Sequence, residues 1–160
     1  MTVIIKIEDV FEVAVRIERK GIEFYRLAHE KVHSNAAKDV FAFLVSQEEK
    51  HLGTFQAWLE KAADYLPRFK YPGRLEAFYR DVANHALESL KNVEAALAAK
   101  SLREALEIAK TVEKESIAYY EGMSQAFPGE QEQRQLRQVI NEEKEHLARL
   151  ELLGENGVKF

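Results

Sequence analysis

Four stretches of this chain place an apolar residue every three or four positions, the period of a helix with one buried face. The first reads Phe11, Ala14, Ile17, Ile22, Tyr25 and Ala28, and the second Phe41, Leu44, Val45, Leu52, Phe55, Trp58 and Leu59. The third reads Leu106, Ala109, Val112, Ile117, Tyr120 and Met123, and the fourth Leu136, Val139, Ile140, Leu147, Leu150 and Leu153. No stretch alternates apolar and polar residues for long enough to predict a strand. The punctuation agrees with four helices. Asp9 with Glu12 three residues on is a variant capping box, which predicts the first helix start at Asp9. Around His33-Ser34-Asn35 that helix ends, and Ser34 or Asn35 can cap the second. Pro67 must end the second helix, and 64–73, with Pro67 and Pro72-Gly73, reads as loop. Ser101 with Glu104 is another capping box, Pro128-Gly129 breaks the third helix, and Gly154 is a natural C-terminal cap for the fourth. The prediction is a single all-α domain over 1–160, with antiparallel hairpins at about 9–66 and 101–153. A connection of about 67–100 joins them. It carries a helical pattern of its own (Leu75, Phe78, Tyr79, Val82, Ala86, Leu87, Leu90, Val93, Leu97), and could cover the core or form a dimer face.

The polar residues inside these stripes change the picture. Shifted by 95 residues, Glu18 falls on Glu113, Tyr25 on Tyr120, Glu48 on Glu143 and His51 on His146 (113−18 and 143−48 are both 95). Each half thus holds a lone Glu and, 30 residues on, a Glu-x-x-His (48−18 and 143−113). With 23 Glu and five His, a Glu-x-x-His also arises by chance, and the chain contains such a case. Glu30-His33 has no mate, because the shift lands on Gln125 and Pro128. The other two pairs occupy slots in the apolar stripes, as do Glu18 and Glu113. Glu49, Lys50, Lys144 and Glu145 point away and read as solvated face.

Six polar groups aimed into one core cost several kcal/mol each unless paired. Two divalent cations answer this directly, since four ionised Glu carry −4 and two cations +4. The competing reading puts all six on helix edges, exposed or ion-paired with Lys and Arg, and it leaves the inward phase and the duplicated spacing unexplained. Residues i and i+3 share a helix face about 5–6 Å apart at Cβ, so Glu and His at that spacing can address one metal. Carboxylates with two imidazoles and no thiolate favour iron or manganese over structural zinc. Two iron ions are the first choice, with manganese or a mixed Fe/Mn pair open. Tyr25 and Tyr120 follow their Glu by seven residues, two turns along the same face. They are the candidate catalytic residues: either could hydrogen-bond a ligand carboxylate or donate an electron, or equally be an aromatic core residue whose hydroxyl finds a partner. Glu142 and Gln47 could orient the opposing His through its outer nitrogen. His29 and His85 show no partner pattern, and the aromatic stretch Tyr65, Phe69, Tyr71, Phe78 and Tyr79 reads as packing or a subunit contact.

Composition narrows the classes. A net charge of −4 and a pI near 5.8 leave no basic excess for nucleic acid. Without Cys, disulfides, thiol catalysis, zinc-thiolate sites and a rubredoxin-type iron centre are excluded. No apolar run reaches membrane-spanning length, and Met1 to Ile7 is too short and polar for a signal peptide. The expected location is cytoplasmic and off the membrane, and the expected assembly a homo-oligomer, with a dimer favoured.

The runs from Glu18 to Tyr25 (ERKGIEFY) with Glu48 to His51 (EEKH), echoed by Glu113 to Tyr120 (EKESIAYY) with Glu143 to His146 (EKEH), resemble the rubrerythrin branch of the ferritin-like diiron-carboxylate proteins. The resemblance spans most of 8–153. It implies a ferritin-like four-helix bundle, a non-haem diiron site held by Glu18, Glu48, His51, Glu113, Glu143 and His146, and reaction with hydrogen peroxide or dioxygen. Two departures bear on peroxidase activity. Rubrerythrins proper carry a rubredoxin-like domain, which a chain without Cys cannot form, so the resemblance is to the short members and an external electron donor is required. They also carry a further ligand Glu three residues after the third-helix Glu, where this chain has Ser116. The expected function is peroxide reduction in oxidative-stress defence. The alternative is a ferroxidase or iron-sequestration protein without sustained turnover, and a third reading is an interaction bundle with a vestigial site.

Overall fold

The computed structural model describes residues 7–65, 84, 102–124 and 129–156. Four long helices carry it: α1 (Ile7–Lys31), α2 (Asn35–Glu60), α3 (Leu102–Ser124) and α4 (Glu130–Glu155), with a short 3-10 turn (Ala62–Tyr65) after α2. No strand occurs among the described residues, and no helix there is long and apolar enough to cross a membrane. The helical pattern expected within 75–97, the loop beyond residue 65, the Ser101 cap, Pro128, His85 and the aromatic stretch lie outside the described residues or side chains.

The apolar stripes are the buried faces. All predicted stripe residues of α1, and all of α3, are buried, while on α2 and α4 Val45, Leu52, Leu59 and Leu147 are only half-buried at the stripe edges. Three residues separate α1 from α2, and Val32 among them turns its side chain into the core. Ser34 caps α2 as expected, its Oγ accepting the amide of Ala37 at 3.4 Å. Two predicted caps are corrected. Asp9 lies within α1, whose described residues begin earlier at Ile7, so its carboxylate sits in the first turn, where the helix dipole favours it without a capping bond. Gly154 lies inside α4, which runs on to Asn156 as its C-cap. The residue that ends α4 is set by the bond from Asn156 N to Leu152 O at 3.2 Å, and a glycine can continue a helix as well as end one.

Contacts between hairpins fix the direction of packing. Tyr25 of α1 meets Glu113 of α3, and Tyr120 meets Glu18. Numbers rise on one helix as they fall on the other, so α1 and α3 run antiparallel. In the other adjacent pair His51 meets Glu142 and Trp58 meets Gln135, so α2 and α4 do the same. The core falls into two apolar layers. One contains Phe11, Phe55, Trp58, Met123 and Leu136, the other Phe24, Phe41, Leu44, Leu106 and Leu150. Between them lies a layer of buried charge.

Candidate metal centre

That charged layer contains Glu18, Glu48, His51, Glu113, Glu143 and His146, none more than 4 % exposed. One residue from each of α1 and α3 and two from each of α2 and α4 meet there, because each occupies a slot in its helix's apolar stripe. Glu30 and His33, the unpaired Glu-x-x-His, are both exposed, and His29 is half-buried away from the cluster.

The geometry is close to twofold. His51 Nδ1 lies 3.3 Å from Glu48 Oε2, 3.2 Å from Glu143 Oε1 and 3.8 Å from Glu18 Oε2. His146 Nδ1 lies 2.9 Å from Glu143 Oε2, 3.3 Å from Glu48 Oε1 and 3.9 Å from Glu113 Oε2. The two imidazoles stack with centroids 5.6 Å apart. Two quartets result: Glu18, Glu48, His51 and Glu143, and Glu48, Glu113, Glu143 and His146. In each, the donor atoms lie within 4.8 Å of one another and could hold a metal ion. Glu48 and Glu143 belong to both, and each turns one oxygen to His51 and the other to His146. Carboxylates so placed could each offer an oxygen to two cations.

The tyrosines close the layer from the opposite hairpin. Tyr25 donates to Glu113 Oε1, and Tyr120 donates to Glu18 Oε1. Each Tyr thus serves the carboxylate two turns away on the antiparallel neighbour, not the one on its own helix. Behind His51, the outer Nε2 lies 2.8 Å from Glu142 Oε2, as the sequence suggested. Gln47 does not repeat this at His146; its amide reaches Ser46 Oγ at 3.4 Å.

Burial and crowding shift the titrations of Glu18, Glu48, His51, Glu113 and His146. Burial pushes the carboxyls of Glu18 and Glu113 well above the ordinary carboxylate range, and the neighbouring charges of Glu48 and Glu143 push the same way. Burial opposes ionisation of Glu48 too, but hydrogen bonds with His146 and His51 outweigh it and hold that carboxyl well below the range. Burial disfavours a charge on either imidazole; hydrogen bonds to Glu143 and Glu48 overcome it, pushing His51 up to about 12 and His146 up to about 9. Burial, then the adjacent carboxylates, raise both tyrosines well above their usual value, so they remain neutral donors. The protons so held supply the positive charge that divalent cations would otherwise bring, and metal binding must displace them.

A rubrerythrin family model matches residues 9–154. The chain belongs to the rubrerythrin family. A crystal structure from Thermotoga maritima, described as a ferritin-like diiron-carboxylate protein, is similar over 96 % of this chain and 97 % of that one, with 25 % identity and a TM-score of 0.71. No curated protein matches the sequence. Within the rubrerythrin fold, the donor set fits a pair of hard or borderline cations: carboxylate oxygens, two imidazoles, no thiolate, and an otherwise apolar surround. Ser116, the position of a further ligand in rubrerythrins proper, is buried, and its Oγ donates to Val112 O at 2.9 Å. Sequence reasoning missed Tyr119, whose hydroxyl donates to Val10 O at 2.8 Å and ties α3 to α1. Its signal was the adjacent Tyr120, since two buried neighbours on one helix imply a wide apolar face.

Proposed function

We propose that this rubrerythrin-family protein holds two iron ions between its hairpins and uses them to reduce hydrogen peroxide, with dioxygen as the competing oxidant. The observation that carries the reading is the sharing of Glu48 and Glu143 between two ligand quartets. Glu18 and His51 would complete one position, Glu113 and His146 the other, and manganese would suit the same donors. A bound ferrous pair supplies two electrons and two Lewis-acid contacts at one O–O bond. The balance is H2O2 + 2 H+ + 2 e− → 2 H2O.

The chain's own residues set the conditions for that chemistry. The apolar layers on either side, with Leu44, Val139 and Tyr120 among the buried residues, keep water sparse and local charges strong. Tyr25 and Tyr120 hold Glu113 and Glu18 by hydrogen bonds from neutral hydroxyls. Their role on this reading is to position carboxylates; either also lies where an electron could enter or leave the layer. These 160 residues contain no Cys, so an external donor must restore the ferrous pair. On this reading the protein is cytoplasmic, where such a reductant is available, and acts as a homodimer.

The deciding experiment is stopped-flow mixing of anaerobic, iron-loaded protein with peroxide and, separately, with air, followed in the near ultraviolet. Faster oxidation by peroxide, in a single turnover that stalls without added reductase, is expected. Faster oxidation by dioxygen, with Fe2+ consumed beyond two per chain, would make the protein a ferroxidase. Silence toward both oxidants would leave a sequestering or interaction bundle.

A further inference from the structure

The two halves match in their candidate ligands but not in what stands behind them. Behind His51, α4 presents a polar relay. Glu142 Oε2 lies 2.8 Å from His51 Nε2, and Glu142 Oε1 accepts from Gln138 Nε2 at 3.0 Å. The corresponding residues on α2, 95 positions earlier, are Gln47 and Phe43 (142−47 and 138−43). Gln47 turns to Ser46. Phe43 meets His146 edge-on, ring centroids 6.2 Å apart at 89°, and the Arg149 guanidinium sits 4.3 Å above that ring. Among the described residues, nothing accepts a hydrogen bond from His146 Nε2. The outer nitrogen of one imidazole therefore meets a carboxylate, while the other imidazole meets the edge-on ring of Phe43, which carries a cation on its face.

The difference acts through the histidines. Once a metal displaces the inner proton, a carboxylate on the outer N–H keeps the remaining proton at Nε2 and leaves Nδ1 free for the metal, orients the ring, and makes it the stronger donor. His146 has neither the fixed proton nor the anion, and the positive charge of Arg149 on its far side works against a cation.

We propose that the two metal positions are inequivalent, that the His51 position fills first and more tightly, and that Glu142 is the positioning residue that sets this order. The inference rests on the proposed dimetal site but not on its redox chemistry. On it the protein holds one ion more firmly than the other.

Metal-stripped protein titrated with Co2+ against a chromogenic chelator tests this, with crystals at one equivalent of Co2+ examined by anomalous scattering. Two steps differing about tenfold or more are expected, on the scale of a lost outer partner. At one equivalent the anomalous peak should lie among Glu18, Glu48, His51 and Glu143. Glu142→Gln should weaken the first step about 10–100-fold and leave the second, so that the steps converge. Glu145→Gln, on the exposed face of the same helix, should change neither. The double variant Phe43→Gln with Gln47→Glu, which puts the α4 pair on α2, should tighten the second step. Two equal steps, or equal peaks at one equivalent, would overturn the inference while leaving the dimetal reading intact. So would a Glu142→Gln protein that keeps two well-separated steps. Failure to bind any Co2+ would instead remove the dimetal site itself.

Discussion

At the residue scale the two shared carboxylates differ in consequence from the two unshared ones. Glu48 and Glu143 each face both imidazoles, whereas Glu18 faces only His51 and Glu113 only His146. Elemental analysis of iron-reconstituted variants should show this. Glu48→Ala and Glu143→Ala should fall from two ions per chain toward zero, and Glu18→Ala and Glu113→Ala toward one. Glu30→Ala and His33→Ala, both on exposed positions, should leave two. Equal loss on removing Glu30 and Glu48 would refute the assignment. The tyrosines make a second residue-scale prediction. Tyr25→Phe and Tyr120→Phe keep the rings but leave a buried carboxylate oxygen without its donor, which costs about 1–3 kcal/mol. Each should lower the thermal midpoint, and by similar amounts, because the two contacts are related by the pseudo-twofold.

At the element scale the helices depend on burial of one face more than on their caps, and the caps divide into those that bond and those that do not. Ser34 accepts the Ala37 amide, so Ser34→Ala should cost about 1 kcal/mol, or about 2–4 °C in a chain of this size. Asp9 lies inside α1 and makes no capping bond, so Asp9→Ala should cost less than Ser34→Ala in the same thermal scan. These outcomes show how far local signals carry. Stripe positions such as Phe11, Phe41, Leu106 and Leu136 were legible because a single buried face imposes a 3.6-residue period on any helix. Asp9 and Gly154 misled because capping residues are also tolerated inside helices, and the choice depends on what packs around the end.

For the whole molecule, the buried layer ties stability to pH and to metal. Glu18 and Glu113 are raised above the usual 4.5, and His51 and His146 above 6.5, to about 12 and about 9. All four bind protons more tightly folded than unfolded. Their contribution is complete below the unfolded values and is lost as pH rises: first for the carboxyls above 4.5, then for the imidazoles above 6.5 and on through 9 and 12. Glu48, held low, acts in the opposite sense and loses its contribution as pH falls below 4.5. Metal-stripped protein should therefore melt at a lower temperature at pH 9 than at pH 6. Metal-loaded protein should not follow that decline, because cations replace the protons, and its advantage should grow with free metal as mass action requires. Metal affinity itself should rise with pH, and proton release on binding, measured calorimetrically in buffers of different ionisation enthalpy, checks the sign. A metal-stripped midpoint that rises from pH 6 to pH 9 would contradict it.

The sequence by itself determined the four helices, the faces they bury, and the six polar residues that interrupt those faces, because each is a matter of spacing along one helix. The duplication added the pairing of Glu18 with Glu113 and of His51 with His146, and so the chemistry of the layer. What only the tertiary structure decided lies between helices. Tyr25 serves Glu113 and not Glu18 because α1 and α3 run antiparallel, which brings residues two turns apart in one helix level with residues displaced oppositely in the other. Glu48 and Glu143 are shared because α2 and α4 cross the layer side by side. Glu142 and Gln47, equivalent by repeat, part company because one lies beside a glutamine that bonds it while it faces His51, and the other turns to Ser46 beside Phe43, whose ring meets His146 edge-on. Spacing along a chain says which face a side chain is on; only packing says what stands opposite.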